Sequence, residues 1–170
     1  RLYSAVQGSK IEDHLNAVRG FAFELLAGLI IQSHGYVNDF SIRKPFKSID
    51  SEGEITADVY GRRAQGTEIV AIECKADYEN SRIELADVQK FVKKVVPAVK
   101  KHENKHRSGK PFVLNAEFWT TGTFSSDVIE WCAEQPNRDG VNFTLRDRAN
   151  LLDLAKTLEG IGTPVKLTIK

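Results

Sequence analysis

Glu73 and Lys75 stand two residues apart at the end of the apolar run IVAIECK (69–75), and Asp58 is the only acid in the preceding apolar stretch ITADVYG (55–61). On a strand, residues i and i+2 point to one face. Glu73 and Lys75 therefore project together, while Cys74 turns the opposite way into the core. The short link AQG (64–66) joins the two strands as a hairpin whose register can bring Asp58 beside Glu73. Two adjacent carboxylates repel, so they are either protonated or neutralised by a cation. A few carboxylates with waters and phosphate oxygens form the donor set of Mg²⁺. Such an ion polarises a phosphoryl oxygen and lowers the pKa of a bound water. A lysine alongside can orient that water and stabilise the developing charge. The other reading of the same residues is a surface Glu–Lys pair and an isolated buried Asp.

Glu24 adds a third carboxylate. It is the only polar residue in the eleven from Phe21 to Ile31. On a helical wheel its neighbours are Ala17, Gly20, Ala27 and Ile31, so its face is packed. A carboxylate buried without a partner is costly. Two answers are open: an Arg or Lys partner elsewhere, or a role in a metal- or water-linked site.

These side chains need elements to position them. Residues 11–33 read as one helix, with Ile11, Leu15, Val18, Ala22, Leu25 and Leu29 as a 3.6-period stripe and Gly35 closing it. Strands follow at 36–46, with Pro45 limiting the far end, at 55–63 and at 67–75. The last is apolar enough for a central strand covered on both faces. A helix starts near Ile83, and Pro97 is expected to kink or end it, with the basic stretch continuing to His106. Then come a strand at 112–121, a helix at 125–135 capped by Ser or Asp, a strand at 140–145, a helix at 146–160 and a tail strand at 165–170. The order α-β-β-β-α-β-α-β-α describes an α/β sandwich with a mixed sheet.

The chain has 170 residues, 41% apolar and 28% charged, which suits one domain, residues 1–170, with a substantial core. No run of about 18 apolar residues exists to span a membrane, and no signal peptide is visible. The chain begins at Arg1 and contains no Met, so a processed product or a domain of a longer protein is expected. Cys74 and Cys132 form no close pair, which points to two reduced thiols in a cytoplasmic protein. His102 and His106 share a helix face among lysines, read as a solvated basic face or a metal pair. The net charge is only +1, but nine Lys or Arg against three acids fall between Arg82 and Lys110. That concentration suits a polyanion or a solubilising helix face.

Asp58 followed by IECK resembles the motif of the PD-(D/E)xK nuclease superfamily, and within it the Mrr-like restriction endonuclease group. RGFAFELLAGLIIQSHGY (19–36) is similar to that group's first helix. Gln89 is similar to a glutamine found after the Glu-x-Lys. FWTTGTFSSDVIEWC (118–132) is similar to the following strand-loop-helix, and LLDLAKTL (151–158) to the closing helix. Ala57 stands where that motif has proline. The resemblance implies a restriction-endonuclease-like α/β/α sandwich with a mixed central sheet. It implies Asp58 and Glu73 as metal ligands with the Cys74 backbone carbonyl, Lys75 as the catalytic lysine, and Glu24 and Gln89 as accessory site residues. Gln89 can equally be a polar residue on the helix surface.

The expectation is a Mg²⁺-dependent DNA endonuclease, with Mn²⁺ as a substitute metal. Lys90, Lys93 and Lys94 would bind backbone phosphates, which supply affinity but little sequence information. DNA is the expected partner. Further candidates are a second copy of the chain and a recognition or NTPase domain outside residues 1–170. The rival readings are a DNA junction resolvase, a non-catalytic DNA-binding or assembly module on the nuclease fold, and an ordinary α/β domain.

Overall fold

The structure, a computed structural model, describes residues 8–76, 82–134 and 140–159, with the side chains of 8–17, 155 and 157–159 excluded. Helix α1 (Gly8–Ser33) is followed by three strands, β1 (Tyr36–Lys47), β2 (Glu54–Arg63) and β3 (Glu68–Lys75). A two-residue strand β4 (Arg82–Ile83) leads into α2 (Leu85–Lys90), a π-helical turn (Phe91–Val95) and α3 (Val96–His106). Then come β5 (Val113–Thr120), the short β6 (Thr123–Phe124), α4 (Ser126–Ala133), β7 (Val141–Arg146) and α5 (Arg148–Glu159). The expected tail strand at 165–170 and Gly160 lie outside the described residues. Among the described residues, no helix is long and apolar enough to cross a membrane.

The main sheet has the order β1-β2-β3-β5-β7. The β1–β2 and β2–β3 pairs are antiparallel, and the β3–β5 and β5–β7 pairs are parallel. The sheet is therefore mixed, and β3 is central, as its unbroken Ile69–Ile72 burial requires. One face packs Val88, Phe91, Val95 and Val99 of the α2–α3 run and Val128 of α4 against Ala71, Leu114, Ala116 and Phe118. The other packs Phe23, Ala27, Ile30 and Ile31 of α1 and Leu151 of α5 against Val59, Val70, Ile72 and Trp119. The result is the expected α/β/α sandwich.

Two expectations need correction. Among the described members of the stripe assigned to α1, Val18 is 65% exposed, Ala22 is exposed and Leu25 and Leu29 are only partly buried, whereas Phe23, Glu24, Ala27, Gly28, Ile30 and Ile31 are buried; the side chains of Ile11 and Leu15 lie outside the described residues. From Phe21 to Ile31 the helix is apolar almost all round, so periodicity alone does not choose a face there. Close approach does. A Cβ on Gly28 would stand 2.7 Å from Ile42 Cδ1 and 3.0 Å from Phe40 Cζ, so the glycine admits β1 against the helix. Of the two outcomes expected at Pro97, ending the helix does not occur; the helical run is instead irregular just before it. The chain makes one wide turn, closed by the Val96 N–H on the Phe91 carbonyl, and Pro97 then falls in the first turn of α3. There its missing N–H is least costly, and the helix runs on to His106.

The basic helix is anchored by an acid. Glu103 is fully buried on α3 and accepts hydrogen bonds from the Tyr60 hydroxyl, from Arg62 Nη2 at 2.8 Å and from Arg107 Nε at 3.1 Å. Burial pushes its carboxyl up, but the hydrogen bonds from Arg62, Tyr60 and Arg107 outweigh that and hold it below the usual range. Removing one partner of such a network leaves buried charge without compensation. Glu103→Ala is expected to cost about 3–5 kcal/mol in urea unfolding at neutral pH. Because the folded pKa is depressed, the contribution is present above the unfolded value and lost as pH falls through the folded one. The gap between wild type and variant should therefore close in acid; a gap unchanged by acid would show that the carboxylate charge is irrelevant.

Candidate active site

The carboxyl end of β3 is where the hairpin ladder opens. Val59 pairs with Ile72, the last β2–β3 register pair on that side. Beyond it, the Cys74 amide donates to Asp58 Oδ2 at 2.7 Å. Asp58 thus takes the place of a main-chain acceptor and stands beside Glu73.

The local phase of the strands explains this placement. In β2, Ile55 and Ala57 pack on the α2–α3 side, whereas Val59 packs on the α1 side. In β1, Phe46 packs on the α2–α3 side and Ile42 on the α1 side. Alternation would keep residues two apart on one face. Both strands therefore change phase at neighbouring points, Asp58 in β2 and Arg43 in β1. Arg43 lies between Ile42, opposite Val59, and Lys44, opposite Ala57, and it has φ 55°. A non-glycine residue in the left-handed region is uncommon and costs free energy.

Glu73 shares its face with Ile69 and Ala71, towards the α2–α3 layer, and Cys74 turns to the α1 side. Asp58 and Glu73 line a cleft of about 660 Å³. Lys90, Phe91, Lys94 and Val95 form one wall, and Ser48, Asp50, Ser51, Glu54, Ile55 and Thr56 the other. Lys75 is half-exposed, with its Nζ 3.7 Å from Asp87 Oδ1 of α2. Glu24 is buried on α1 and bound side-on by Arg43, Nε at 2.6 Å and Nη2 at 2.9 Å. Of the two answers open for Glu24, an arginine partner is the one present, and Glu24 is still near enough to Asp58 to raise its pKa.

The two central carboxyls are strongly perturbed. Burial pushes Asp58 up to about 6; the Cys74 amide pulls it down, Glu24 pushes it up, and Arg43 and Lys75 pull it down. Burial, and then the Asp58 charge, push Glu73 up to about 8, against Lys90 and Lys75. A divalent cation would relieve both costs. Among the described residues no group of three or more His, Cys, Asp or Glu side chains gathers as a metal cage. The available donors are two carboxylates and neighbouring main-chain oxygens. They are all hard, and they fit an ion that keeps waters and takes phosphate oxygens rather than one held by protein alone.

The other expected residues divide. Lys90 and Lys94 face the cleft, one helical turn apart. Lys93 does not line it and instead donates to Gln89 Oε1 at 3.4 Å, so these two residues hold each other. Sequence reasoning did not identify Arg43 or Asp87. A search for a cation in the strand paired with the Asp58 strand would have raised Arg43. Nothing in the local pattern marks Asp87 as the partner of Lys75.

The restriction endonuclease family model Mrr_cat matches residues 15–155, a span that takes in Glu24, Asp58, Glu73, Lys75 and Gln89. No curated protein matches the chain. Among solved structures, the chain is similar to a protein of unknown function, AF1548, at 16% identity and TM-score 0.60, over 83% of this chain and 67% of that one. That likeness is one of fold. It is also similar to the MspJI restriction endonuclease solved with a 27-mer oligonucleotide, at 20% identity and TM-score 0.46; 91% of this chain is covered, but only 35% of that one. Since the family match runs through most of the sandwich and across the whole cleft, the chain belongs to the Mrr_cat restriction endonuclease family.

Proposed function

We propose that this chain hydrolyses phosphodiester bonds in DNA with Mg²⁺, for which Mn²⁺ can substitute. One observation carries the reading beyond the family. Asp58 and Glu73 meet at the carboxyl end of β3, at the floor of a cleft that has Lys90 and Lys94 on its wall and Lys75 beside it.

Asp58 and Glu73 would hold the ion, with the Cys74 carbonyl between them. Bound there, the ion would polarise the phosphoryl oxygen and lower the pKa of a water. Lys75 orients that water and offsets the charge that develops on the phosphate. Asp87 keeps the Lys75 ammonium near its working place. Lys90 and Lys94 hold the DNA backbone against the cleft, and Lys93 extends the same basic surface. Gln89 is an accessory residue through Lys93. Glu24 adds negative charge at the edge of the site and is bound by Arg43. Phosphate contacts fix position but do not read bases. Target choice would then come from a second copy of the chain, or from a recognition or NTPase domain elsewhere in a longer protein.

The direct test is nicking of supercoiled plasmid, with junction and methylated substrates alongside, in Mg²⁺, Mn²⁺ and excess chelator. Cutting only with metal supports the reading. Robust cutting in chelator removes the metal chemistry, and a gel shift without cutting selects a binding module. Asp58→Asn should abolish metal-dependent cutting. It should leave binding in chelator equal or tighter, because one negative charge facing the phosphates is gone. Lys75→Ala should keep metal binding, lose about 100-fold or more in cleavage and bind DNA somewhat more weakly. Normal cleavage by either folded variant would strip that residue of its role.

Protonation gives a second check. Glu73 has a raised pKa in the folded chain, so between its ordinary 4.5 and about 8 the folded state holds the extra proton. Its unfavourable contribution to stability is absent in acid and grows as pH rises towards the folded value. Glu73→Gln should therefore melt higher than wild type at pH 8 in chelator and the same at pH 4. Adding Mg²⁺ at pH 8 should raise the melting temperature of wild type and not of Glu73→Gln. Equal metal shifts in both proteins would place the ion elsewhere.

A further inference from the structure

Arg43 is built more elaborately than a counter-ion for Glu24 requires. Its backbone sits at φ 55°, where β1 and its neighbour β2 change phase together. Its guanidinium carbon lies 5.0 Å from the centroid of the Phe21 ring, a cation–π contact that fixes its plane. Glu24 takes the Nε and Nη2 hydrogens side-on. A guanidinium carries five N–H donors, so this fork uses two and leaves three, two of them side by side along the Nη1–Nη2 edge. The side chain is 55% exposed although its carboxylate partner is 9% exposed. The chemistry of that open edge is specific: two parallel N–H groups match two oxygens of a phosphate.

Its position adds to this. Arg43 acts electrostatically on Asp58 from the β1 side. Lys90 acts on Glu73 from α2, and with Lys94 it forms the far wall of the cleft. Arg43 does not itself line the cleft: it is held on the α1 side by Glu24 and Phe21 and acts on Asp58 from there, while Lys90 acts on Glu73 from the opposite layer.

We propose that Arg43 is a DNA-phosphate clamp on the β1 side of the cleft, and that Glu24 is a positioning residue that presents it. The backbone of the cut strand is then held from two sides, by the rigid guanidinium edge on one and by Lys90 and Lys94 on the other. The assignment rests on the nuclease reading. It gives Glu24 a task that needs no contact with metal: removing its charge frees the guanidinium without removing a phosphate contact.

Arg43 alone is a poor test, because its loss strands a buried carboxylate. The informative comparison is Glu24→Gln with Glu24→Gln/Arg43→Gln, which differ only in the guanidinium and both avoid a buried unpaired charge. Binding to a duplex oligonucleotide is measured in chelator across a salt series, with thermal melts to confirm folding. The double variant should bind severalfold more weakly at low salt, and its plot of log K against log salt should be flatter by about 0.9, one phosphate contact. Arg43→Lys, which keeps charge but not the fork, should fall between wild type and the double variant in affinity. Equal slopes and equal affinities in the two Gln proteins overturn the clamp and leave Arg43 a structural counter-ion. Plasmid nicking by wild type reads the nuclease assignment separately. Nicking with equal slopes overturns the clamp alone, and a wild type that neither binds nor cuts DNA overturns both.

Discussion

The hydrogen bond from the Cys74 amide to the Asp58 carboxylate is the constraint on which the site depends. It ends the β2–β3 ladder by giving a main-chain donor a side-chain acceptor. A buried amide must find a partner somewhere. By answering that need with a carboxylate, the chain brings one acid to the end of its central strand beside a second. Burial then raises both, Asp58 to about 6 with the Glu24 charge adding to it, and Glu73 to about 8 with the Asp58 charge adding to it. Perturbed acids gathered in a cleft cluster at functional sites, which is what makes this cleft the candidate.

The same economy governs the charge around them. Every buried acid in the described sandwich has cations against it. Glu103 takes Arg62 and Arg107, Glu24 takes Arg43, and the half-buried Glu117 takes Arg146. Asp58 and Glu73 differ. Their cations, Arg43, Lys75 and Lys90, act on them without direct hydrogen bonds among the contacts described, and both residues line the cleft. Glu103 matters to this arrangement from a distance. It ties the basic helix to β2, the strand that carries Asp58, so the wall with Lys90 and Lys94 and the floor of the cleft are joined.

Much of this was legible before the fold was known. Asp58, Glu73 and Lys75 stood out because acids and a lysine interrupt apolar strands, and the strand period gave the right faces for Glu73 and Cys74. The strands β1, β2, β3, β5 and β7 follow runs visible in the residues, and the one strand expected beyond them lies outside the described residues. The failures have a common physical cause. In α1 and at Pro97, local pattern was asked to decide something that packing decides. The all-round apolar segment 21–31 offers several faces, and close approach of Phe40 and Ile42 at Gly28 goes with one. A helical run containing proline can stop or can widen by one turn, and burial of Phe91 and Val95 on either side of that turn favours continuing.

The sequence by itself determined the composition of the site: two carboxylates and a lysine at a strand end, a buried acid on the first helix, and a run of lysines after them. These follow from residue type and period, which are local. Only the tertiary structure decided which charges meet. The odd-numbered residues Ile55, Ala57, Val59 and Gly61 look like one continuous face in the sequence, yet the chain divides them between both layers. That break depends on a left-handed Arg43 in the neighbouring strand, held by a glutamate 19 residues away on a helix. A two-residue period carries no information about a partner in another element, so the pairing of Arg43 with Glu24, and the turn of Asp58 towards Glu73, exist only once helix and sheet have packed.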